Sequence, residues 1–271
     1  MNRLAEIIAK KKQRVATSKD VAPRAAVEMI ARWMRETAPT HALREALVHD
    51  DRINIIAEFK RRSPSKGSIS SQADPATVAR VYERGGAAAI SVLTEEDFFA
   101  GSLDDLRAVR QQTSLPLLRK DFIVSDYQVY ESAAAGADAL LLIVAALDDD
   151  SLKNLRELTE NELAMDALVE VHTRDEMQRA IDGGAKIIGV NNRNLETFEV
   201  SLTTSIELAD SAPNGTILIS ESGIETREDI DRLRDAGYSG FLIGETLMRA
   251  DDPETLVKEF AQVGDGAGTQ G

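Results

Sequence analysis

Short apolar runs alternate along the chain with longer segments in which apolar and polar positions follow a helical period. Runs of this length, bounded by Gly, Asn, Asp or Ser, are typical of buried strands. Eight of them are present: Ile53–Phe59, Ala88–Leu93, Leu115–Leu118, Ala139–Val144, Ala167–Val171, Ile187–Val190, Thr216–Ile219 and Gly240–Ile243. Eight strands separated by helices predict repeated βα units around a parallel sheet.

A glycine precedes four of these runs at intervals of about 50 residues: Gly86, Gly136, Gly184 and Gly237. Each follows a helical segment, where glycine readily takes the left-handed conformation that ends a helix. The interval spans two βα units, and a length of 271 residues suffices for a (β/α)8, or TIM, barrel. A doubly wound open sheet is the alternative, but it usually has fewer strands and a Gly-rich turn after the first one. Here the first strand leads into Lys60-Arg61-Arg62-Ser63 instead.

The segment before the first strand predicts further helices at Leu4–Val15, Ala22–Met34 and His41–His49. We expect residues 1–50 to pack across one end of the barrel, so that 1–271 is a single barrel domain with a helical N-terminal extension. The Gly-rich tail, residues 264–271, is expected to be disordered.

Three of the apolar strands end in charged residues, and the alternation of side chains along a strand places these residues on the same inward face as the apolar ones. They are Glu58 and Lys60 with Ile56, Lys120 with Leu118, and Glu170 with Leu168. The carboxyl ends of barrel strands converge on the active site, and a buried charge is costly unless it serves one. A solvated loop position or a structural ion pair is the alternative for each residue alone. Two lysines and two glutamates together favour a catalytic site.

The later strands end in residues suited to binding an anionic ligand. The sixth offers Asn191 and Arg193, the seventh is followed by Glu221-Ser222-Gly223, and the eighth by Gly244-Glu245. Glycines after strands seven and eight of a barrel let backbone N–H groups approach a phosphate. A simple turn is the alternative for one such loop, but two loops predict a phosphate site. Glu245 would then contribute its backbone only, with its carboxylate pointing away.

Composition narrows the function classes. The chain has 46 acidic and 32 basic residues, and the net charge of −14 argues against nucleic acid as a partner. An anionic substrate must therefore be met by a local concentration of Lys, Arg and backbone N–H groups. Acidic clusters such as Asp148-Asp149-Asp150 suggest a halophilic surface, with an ordinary acidic cytosolic protein as the alternative.

The chain has no cysteine, which excludes disulfides, a thiolate nucleophile and Cys-based metal sites. Its histidines, His41, His49 and His172, lack metal-ligand spacing, so no metal is expected. His172 shares the parity of Glu170, and we expect it to lie in a loop or to contact site residues rather than substrate. The apolar stretches are too short to span a bilayer and no secretory signal is visible, so we expect a cytoplasmic enzyme without a membrane partner.

At these same residues the sequence resembles the indole-3-glycerol-phosphate synthase family. The motifs that carry the resemblance are Ile56-Ala-Glu-Phe-Lys-Arg-Arg-Ser-Pro-Ser-Lys-Gly67, Leu118-Arg-Lys-Asp-Phe-Ile123, Asp126-Tyr-Gln-Val-Tyr-Glu131, Asn191-Asn-Arg-Asn-Leu195 and Ser220-Glu-Ser-Gly-Ile224. The first is highly specific, whereas the segment at Gly244 is shared by many phosphate-binding barrels. The similarity runs from about residue 2 to residue 262.

The resemblance implies the substrate 1-(2-carboxyphenylamino)-1-deoxyribulose 5-phosphate and no cofactor. Separately, we expect a monomer or weak homo-oligomer. It implies Lys120 as general acid and Glu170 as general base, with Lys60 pairing with the substrate carboxylate or donating a proton in dehydration. Glu58 would orient Lys60 or a substrate hydroxyl. The residues that would line the pocket or hold the phosphate are Asn191, Arg193, Glu221, Ser222, Ser63, Gly223, Gly244 and Glu245. A lysine that is partly buried or crowded by a cation should have a lowered pKa.

Two alternatives stay open at this point. One is another phosphate-binding barrel enzyme, of the phosphoribosylanthranilate isomerase or tryptophan synthase α-subunit type. The other is a non-catalytic barrel that binds a phosphorylated ligand. The pair Lys60 and Lys120 argues against the first, and the charged strand ends argue against the second.

Overall fold

The computed structural model describes residues 3–49, 51–63, 67–69, 72–194 and 197–263, without the side chains of Ser63 and Ser68. Its barrel strands are β1 (Asn54–Phe59), β2 (Ala89–Leu93), β3 (Leu117–Lys120), β4 (Ala139–Ile143), β5 (Asp166–Val171), β6 (Ile187–Asn191), β7 (Ile217–Glu221) and β8 (Gly240–Ile243). Each strand pairs in parallel with the next, and β8 pairs with β1, which closes the barrel. The predicted (β/α)8 fold is confirmed, and the open-sheet alternative is wrong.

Three of the apolar runs end before the strands that contain them, because β3, β6 and β7 continue to the polar or charged residues Lys120, Asn191 and Glu221. The third run was expected to end at Leu118, but β3 continues to Lys120, which lies opposite Leu93 of β2. The seventh was expected to end at Ile219, but β7 continues to Glu221, opposite Asn191 of β6. The strands continue beyond the last inward aliphatic side chain because backbone hydrogen bonding does not depend on whether the inward side chain is apolar or charged.

The helices of the described residues are α1 (Arg3–Val21), α2 (Arg24–Arg35), α3 (Ala42–Ala46), α4 (Pro75–Arg84), α5 (Leu103–Arg110), α6 (Asp126–Ala134), α7 (Asp149–Glu157), α8 (Arg174–Asp182), α9 (Thr203–Ala209), α10 (Arg227–Asp235), α11 (Glu245–Arg249) and α12 (Pro253–Ala261). A short hairpin pairs Arg62–Ser63 with Gly67–Ser68. None of these helices is long and apolar enough to cross a membrane.

Local chemistry explains where the helices begin and end. Seven of them begin after a residue whose side chain accepts a backbone N–H of the first turn: Asp74, Ser102, Ser125, Asp148, Thr173, Thr226 and Asp252. The four repeated glycines follow α4, α6, α8 and α10 with φ between 80° and 100°. The predicted left-handed helix ends are therefore confirmed.

The core has two layers, as the alternation of side chains along barrel strands requires. An outer layer fills the space between strands and helices, whereas an inner cluster fills the barrel with Ile56, Ala89, Leu118, Ala139, Leu141, Ile143, Leu168, Ile187, Ile219 and Leu242. The inner cluster includes the residues used to assign inward parity on β1, β3 and β5. The charged residues one pleat beyond them therefore face the mouth of the barrel.

The N-terminal helices cover both ends of the barrel rather than one. Leu43 and Leu47 of the α3 region join the inner cluster from the amino ends of the strands. Asn54 holds them there, because its Nδ2 donates to the carbonyl of Leu47 at 3.0 Å. At the carboxyl ends, Lys11 of α1 pairs with Glu96 at 2.7 Å and Asp121 at 2.8 Å. The tail predicted to be disordered, 264–271, lies outside the described residues.

Candidate active site

A cavity of about 980 Å³ opens at the carboxyl ends of the strands. Eleven of the twelve predicted site residues line it: Glu58, Lys60, Lys120, Glu170, Asn191, Arg193, Glu221, Ser222, Gly223, Gly244 and Glu245. The side chain of the twelfth, Ser63, lies outside the described part of the structure. The barrel thus brings charged residues from six strand ends into one pocket, and for Glu58, Lys60, Lys120 and Glu170 this agrees with the inward parity expected from the sequence.

Lys120 lies at the centre of this charged group. Its Nζ donates to Glu170 Oε2 at 2.9 Å and to Glu221 Oε2 at 2.5 Å. Both carboxylates are buried, with side chains 3% and 1% exposed, so the ion pairs are shielded from solvent. An ammonium beside two buried carboxylates provides both a proton donor and proton acceptors within one cluster.

Lys60 forms a second pair with Glu58. Its Nζ lies 2.8 Å from Glu58 Oε1, and both side chains are largely buried. This contact agrees with the expectation that Glu58 orients Lys60. These ion pairs join the ammonium groups of Lys60 and Lys120 to the carboxylates of Glu58, Glu170 and Glu221, and the five groups together carry a net negative charge when all are ionised.

The charges shift one another's protonation. Burial alone would lower the pKa of Lys120, but Glu170, Glu221 and Glu58 outweigh it and raise that pKa above its ordinary value. Burial would raise the pKa of Glu170, but Lys120 and His172 outweigh it and lower that pKa. Burial raises the pKa of Glu221 to about 7, against the attraction of Lys120. The expected lowered lysine pKa is therefore wrong for Lys120, because carboxylates rather than a cation surround it.

Two glycines make room for the carboxylates. A Cβ on Gly189 would overlap Glu221 Oε1, and a Cβ on Gly244 would overlap Glu58 Oε1. Gly244 has φ of −122°, so its lack of a side chain matters for space rather than for backbone conformation. The sequence pattern at Gly244 indicates a phosphate site only, and nothing in the sequence alone singles out Gly189.

The loops after β7 and β8 form one side of the pocket. Ser222 and Gly223 have φ of 68° and 78°, a left-handed conformation that is costly for most residues other than glycine. Thr246 Oγ1 donates to the carbonyl of Ile224 at 2.7 Å and ties the two loops together. The Glu245 carboxylate does not point away from the site. Its Oε2 lies 3.9 Å from Arg193 Nη2 and faces another lining residue.

Asn192 is a buried residue that forms hydrogen bonds with the end of β7 and with the loop that follows it. It was not among the site residues expected from the sequence. Its Nδ2 donates to Ser220 Oγ and to the Ser222 carbonyl, both at 3.0 Å. Its Oδ1 accepts from Ser205 Oγ at 2.8 Å. The residue is 2% exposed. The available sequence signal was a pair of asparagines at the end of an apolar run, of which only Asn191 was singled out as a site residue.

An apolar wall of six side chains also lines the pocket. It is formed by side chains from α1, the strands and the loops after β2 and β3: Leu4, Ile7, Phe99, Phe122, Leu141 and Ile143. The rings of Phe99 and Phe122 lie 6.4 Å apart. The contribution of α1 was not foreseen, because an amphipathic pattern indicates a helix but not the surface that it covers. The pocket is therefore lined by this apolar wall, by charged side chains at the strand ends and by the glycine-containing loops after β7 and β8.

A closed parallel barrel with acidic and basic side chains at the carboxyl ends of its strands defines the class, a (β/α)8-barrel enzyme. The chain belongs to the indole-3-glycerol phosphate synthase family, whose model matches residues 4–260. This is a family of carboxy-lyases. Within the part of the chain that the structure describes, no group of acidic and histidine side chains is arranged to hold a metal ion.

Curated relatives agree with this membership over most of the chain. An indole-3-glycerol phosphate synthase of Carboxydothermus hydrogenoformans is 49% identical over 230 residues, covering 82% of this chain and 87% of the relative. The Mycolicibacterium gilvum protein of the same name is 49% identical, with 90% of each chain covered. That of Parafrankia sp. is 45% identical, with 97% of each chain covered.

Solved structures with low sequence identity support the fold alone. A thiamine phosphate pyrophosphorylase from Pyrococcus furiosus superimposes with a TM-score of 0.57 at 18% identity, covering 77% of this chain and 93% of the other. An N-acetylmannosamine-6-phosphate 2-epimerase from Clostridium perfringens has a TM-score of 0.57 at 16% identity, covering 78% and 93%.

Proposed function

We propose that this chain converts 1-(2-carboxyphenylamino)-1-deoxyribulose 5-phosphate to indole-3-glycerol phosphate, with release of CO2 and water and without a cofactor. The observation that carries the proposal is the position of Lys120, held between Glu170 and Glu221 inside the pocket. Ring closure needs a proton donor, and the later dehydration needs a proton acceptor. Lys120 and Glu170 supply both within 2.9 Å of each other.

The pocket matches the three parts of this substrate. The apolar wall suits the aromatic ring, and Phe99 and Phe122 provide its aromatic contacts. Lys60 is the cation assigned to the ring carboxylate. The backbone at Gly223, Gly244 and Glu245 is assigned to the phosphate, at the two loops where (β/α)8 barrels commonly bind that group. Ser63 is assigned to the phosphate by resemblance, and Arg193, Asn191 and Ser222 are assigned to the remaining polar groups.

In the first step, the ring carbon that bears the carboxylate attacks the ketone carbon and a carbon–carbon bond forms. The ketone oxygen becomes negatively charged, and the Lys120 ammonium stabilises that charge and donates a proton to it. Because its carboxylate neighbours raise the pKa of Lys120, the lysine is protonated throughout the neutral pH range and can act as the acid. The C–CO2 bond then breaks, and its electron pair restores the aromatic ring.

In the last step, the new hydroxyl leaves as water and a proton leaves the carbon beside the nitrogen. Glu170 is assigned as the base that accepts this proton, and Lys60 is the second ammonium available to protonate the leaving hydroxyl. The Lys120 and His172 cations lower the pKa of Glu170, which keeps the base ionised at neutral pH. Glu221 holds Lys120 from the other side and lies against substrate.

The proposal is tested by adding the carboxyphenylamino-deoxyribulose phosphate to the purified protein and following indole fluorescence. We expect turnover by the wild type and loss of most turnover in Glu170→Gln, because an amide keeps the volume but cannot accept the proton. Product formation at a wild-type rate by Glu170→Gln would overturn the base assignment. No indole from the wild type would overturn the proposed reaction.

We also propose that the protein works in the cytoplasm as a monomer or weak homo-oligomer. The absence of cysteine is compatible with a reducing compartment. Size-exclusion chromatography with light scattering tests the second statement, and a stable higher oligomer at micromolar concentration would contradict it.

A further inference from the structure

His172 lies next to Glu170 and transfers no proton in the proposed reaction. Its Nε2 is 3.4 Å from Glu170 Oε1, whereas Lys120 holds the other oxygen, Oε2, at 2.9 Å. The His172 side chain is 10% exposed and is not among the described residues that line the cavity. It therefore contacts the assigned base without facing the substrate space.

Glu176 of α8 fixes the orientation of the imidazole. Its Oε2 accepts the backbone N–H of His172 at 2.7 Å and lies 3.2 Å from His172 Nδ1. Glu176 is itself placed by the start of α8, where its backbone N–H donates to Thr173 Oγ1 at 3.2 Å. With Nδ1 directed at Glu176, the ring turns Nε2 toward Glu170, so a carboxylate–imidazole–carboxylate chain leads from α8 to the pocket.

The surroundings favour the imidazolium. The charged groups that face the ring are Glu170 on its own strand, Glu176 on α8 and Glu221 on β7. Burial lowers the pKa of His172, but the hydrogen bond that its ring donates to Glu176 and the charge of Glu170 outweigh burial, so the pKa is raised. In the cationic form both ring nitrogens carry a proton, and each faces a carboxylate oxygen.

We propose that His172 is a positioning residue for Glu170. Its ring, anchored by Glu176, holds Oε1 so that Oε2 stays directed toward Lys120 and the substrate. The inference rests on the proposed role of Glu170 as the general base. His172 acts through that carboxylate and has no contact with the reacting atoms. When His172 is protonated, the Glu170 carboxylate lies between two cations, one beside each oxygen.

The experiment compares the pH profiles of kcat/KM and kcat for the wild type, His172→Ala and His172→Gln. Loss of the cation raises the pKa of Glu170, so activity is lost at a higher pH on the acid side. We expect His172→Ala to lower kcat by about tenfold or more and to change KM little. In His172→Gln the amide keeps a hydrogen-bond donor near Oε1 but has no charge. This variant should therefore have a higher kcat than His172→Ala and should show the same acid-side pH shift.

A second pair of variants guards against misfolding of the histidine variants. Glu176→Gln keeps the acceptor for the His172 backbone but removes the charge that raises the pKa of His172, so the acid limb should move in the same direction by less. Asp175→Asn makes the same chemical change on an exposed neighbour in α8 and should leave the profile unchanged. Wild-type profiles in Glu176→Gln and His172→Ala would overturn the inference. Full activity of Glu170→Gln would instead overturn the proposed base.

Discussion

An alanine at position 189 tests the arrangement around Lys120 through a residue that bears no functional group. Gly189 lies on β6, and the carboxylate of Glu221 occupies the space into which a Cβ would project. That Cβ would overlap Glu221 Oε1 and lie 3.1 Å from both Glu221 Cδ and Leu168 Cδ1. Leu168 is fully buried, and backbone pairing holds β7, so the Glu221 carboxylate is the group that must move.

The size of the effect follows from that displacement. The clash requires a shift of about 1 Å, and a misplacement of this size near reacting groups costs about 100-fold in rate. Adding a methyl group to a packed interior also costs about 1–3 kcal/mol of unfolding free energy. We therefore expect Gly189→Ala to fold, to melt a few degrees lower, and to lose about 100-fold in kcat.

Steady-state indole fluorescence and thermal melting measure both effects. Glu221→Asp shortens the side chain that clashes, so the double variant should lose less activity than the two single losses combined. Wild-type kcat in Gly189→Ala would refute the reasoning. Strictly additive losses in the double variant would show that the alanine acts elsewhere than on Glu221.

Three further predictions follow from the site and the surface. Because the pKa of Glu221 is raised to about 7, its ionisation above that pH adds negative charge beside an anionic substrate. KM should rise there in the wild type but not in Glu221→Gln, and equal pH dependence in both would contradict this. Gly244→Val should raise KM strongly and also lower kcat by displacing Glu58, whereas Glu245→Ala should be milder, and the reverse ranking would place the phosphate elsewhere. The net charge of −14 predicts a melting temperature that rises with KCl, since the Debye length falls to about 3 Å at 1 M salt. A flat or falling melting temperature would refute the halophilic surface and leave the enzyme assignment intact.

The sequence was sufficient to predict the features that depend on strand parity alone. Lys120 and Glu170 stand on different strands, yet each lies two residues beyond an inward aliphatic side chain, and they meet at 2.9 Å. Parity is a local property of an extended chain, and barrel closure then brings every inward strand end to one place. The same argument placed Glu58 and Lys60 together.

Features that depend on contacts between distant elements could not be predicted in this way. The direction of the Lys120 pKa shift is set by carboxylates from β1, β5 and β7. It could not be predicted from the strand of Lys120 alone, because these carboxylates come from other strands. The placement of Leu4 and Ile7 over the pocket depends on how α1 docks, which pairs such as Lys11 with Asp121 decide. The space that Gly189 leaves for Glu221 is visible only once β6 and β7 are in register.

The central claim is that Lys120 supplies the proton for ring closure, and a single-turnover measurement tests it most directly. Excess enzyme is mixed with the carboxyphenylamino-deoxyribulose phosphate, and indole fluorescence is followed for the wild type, Lys120→Met and the exposed control Lys153→Met. We expect Lys120→Met to fold and to bind substrate but to form indole about 100- to 10,000-fold more slowly, with the control unchanged. Indole formation by Lys120→Met within a few-fold of the wild-type rate would contradict it.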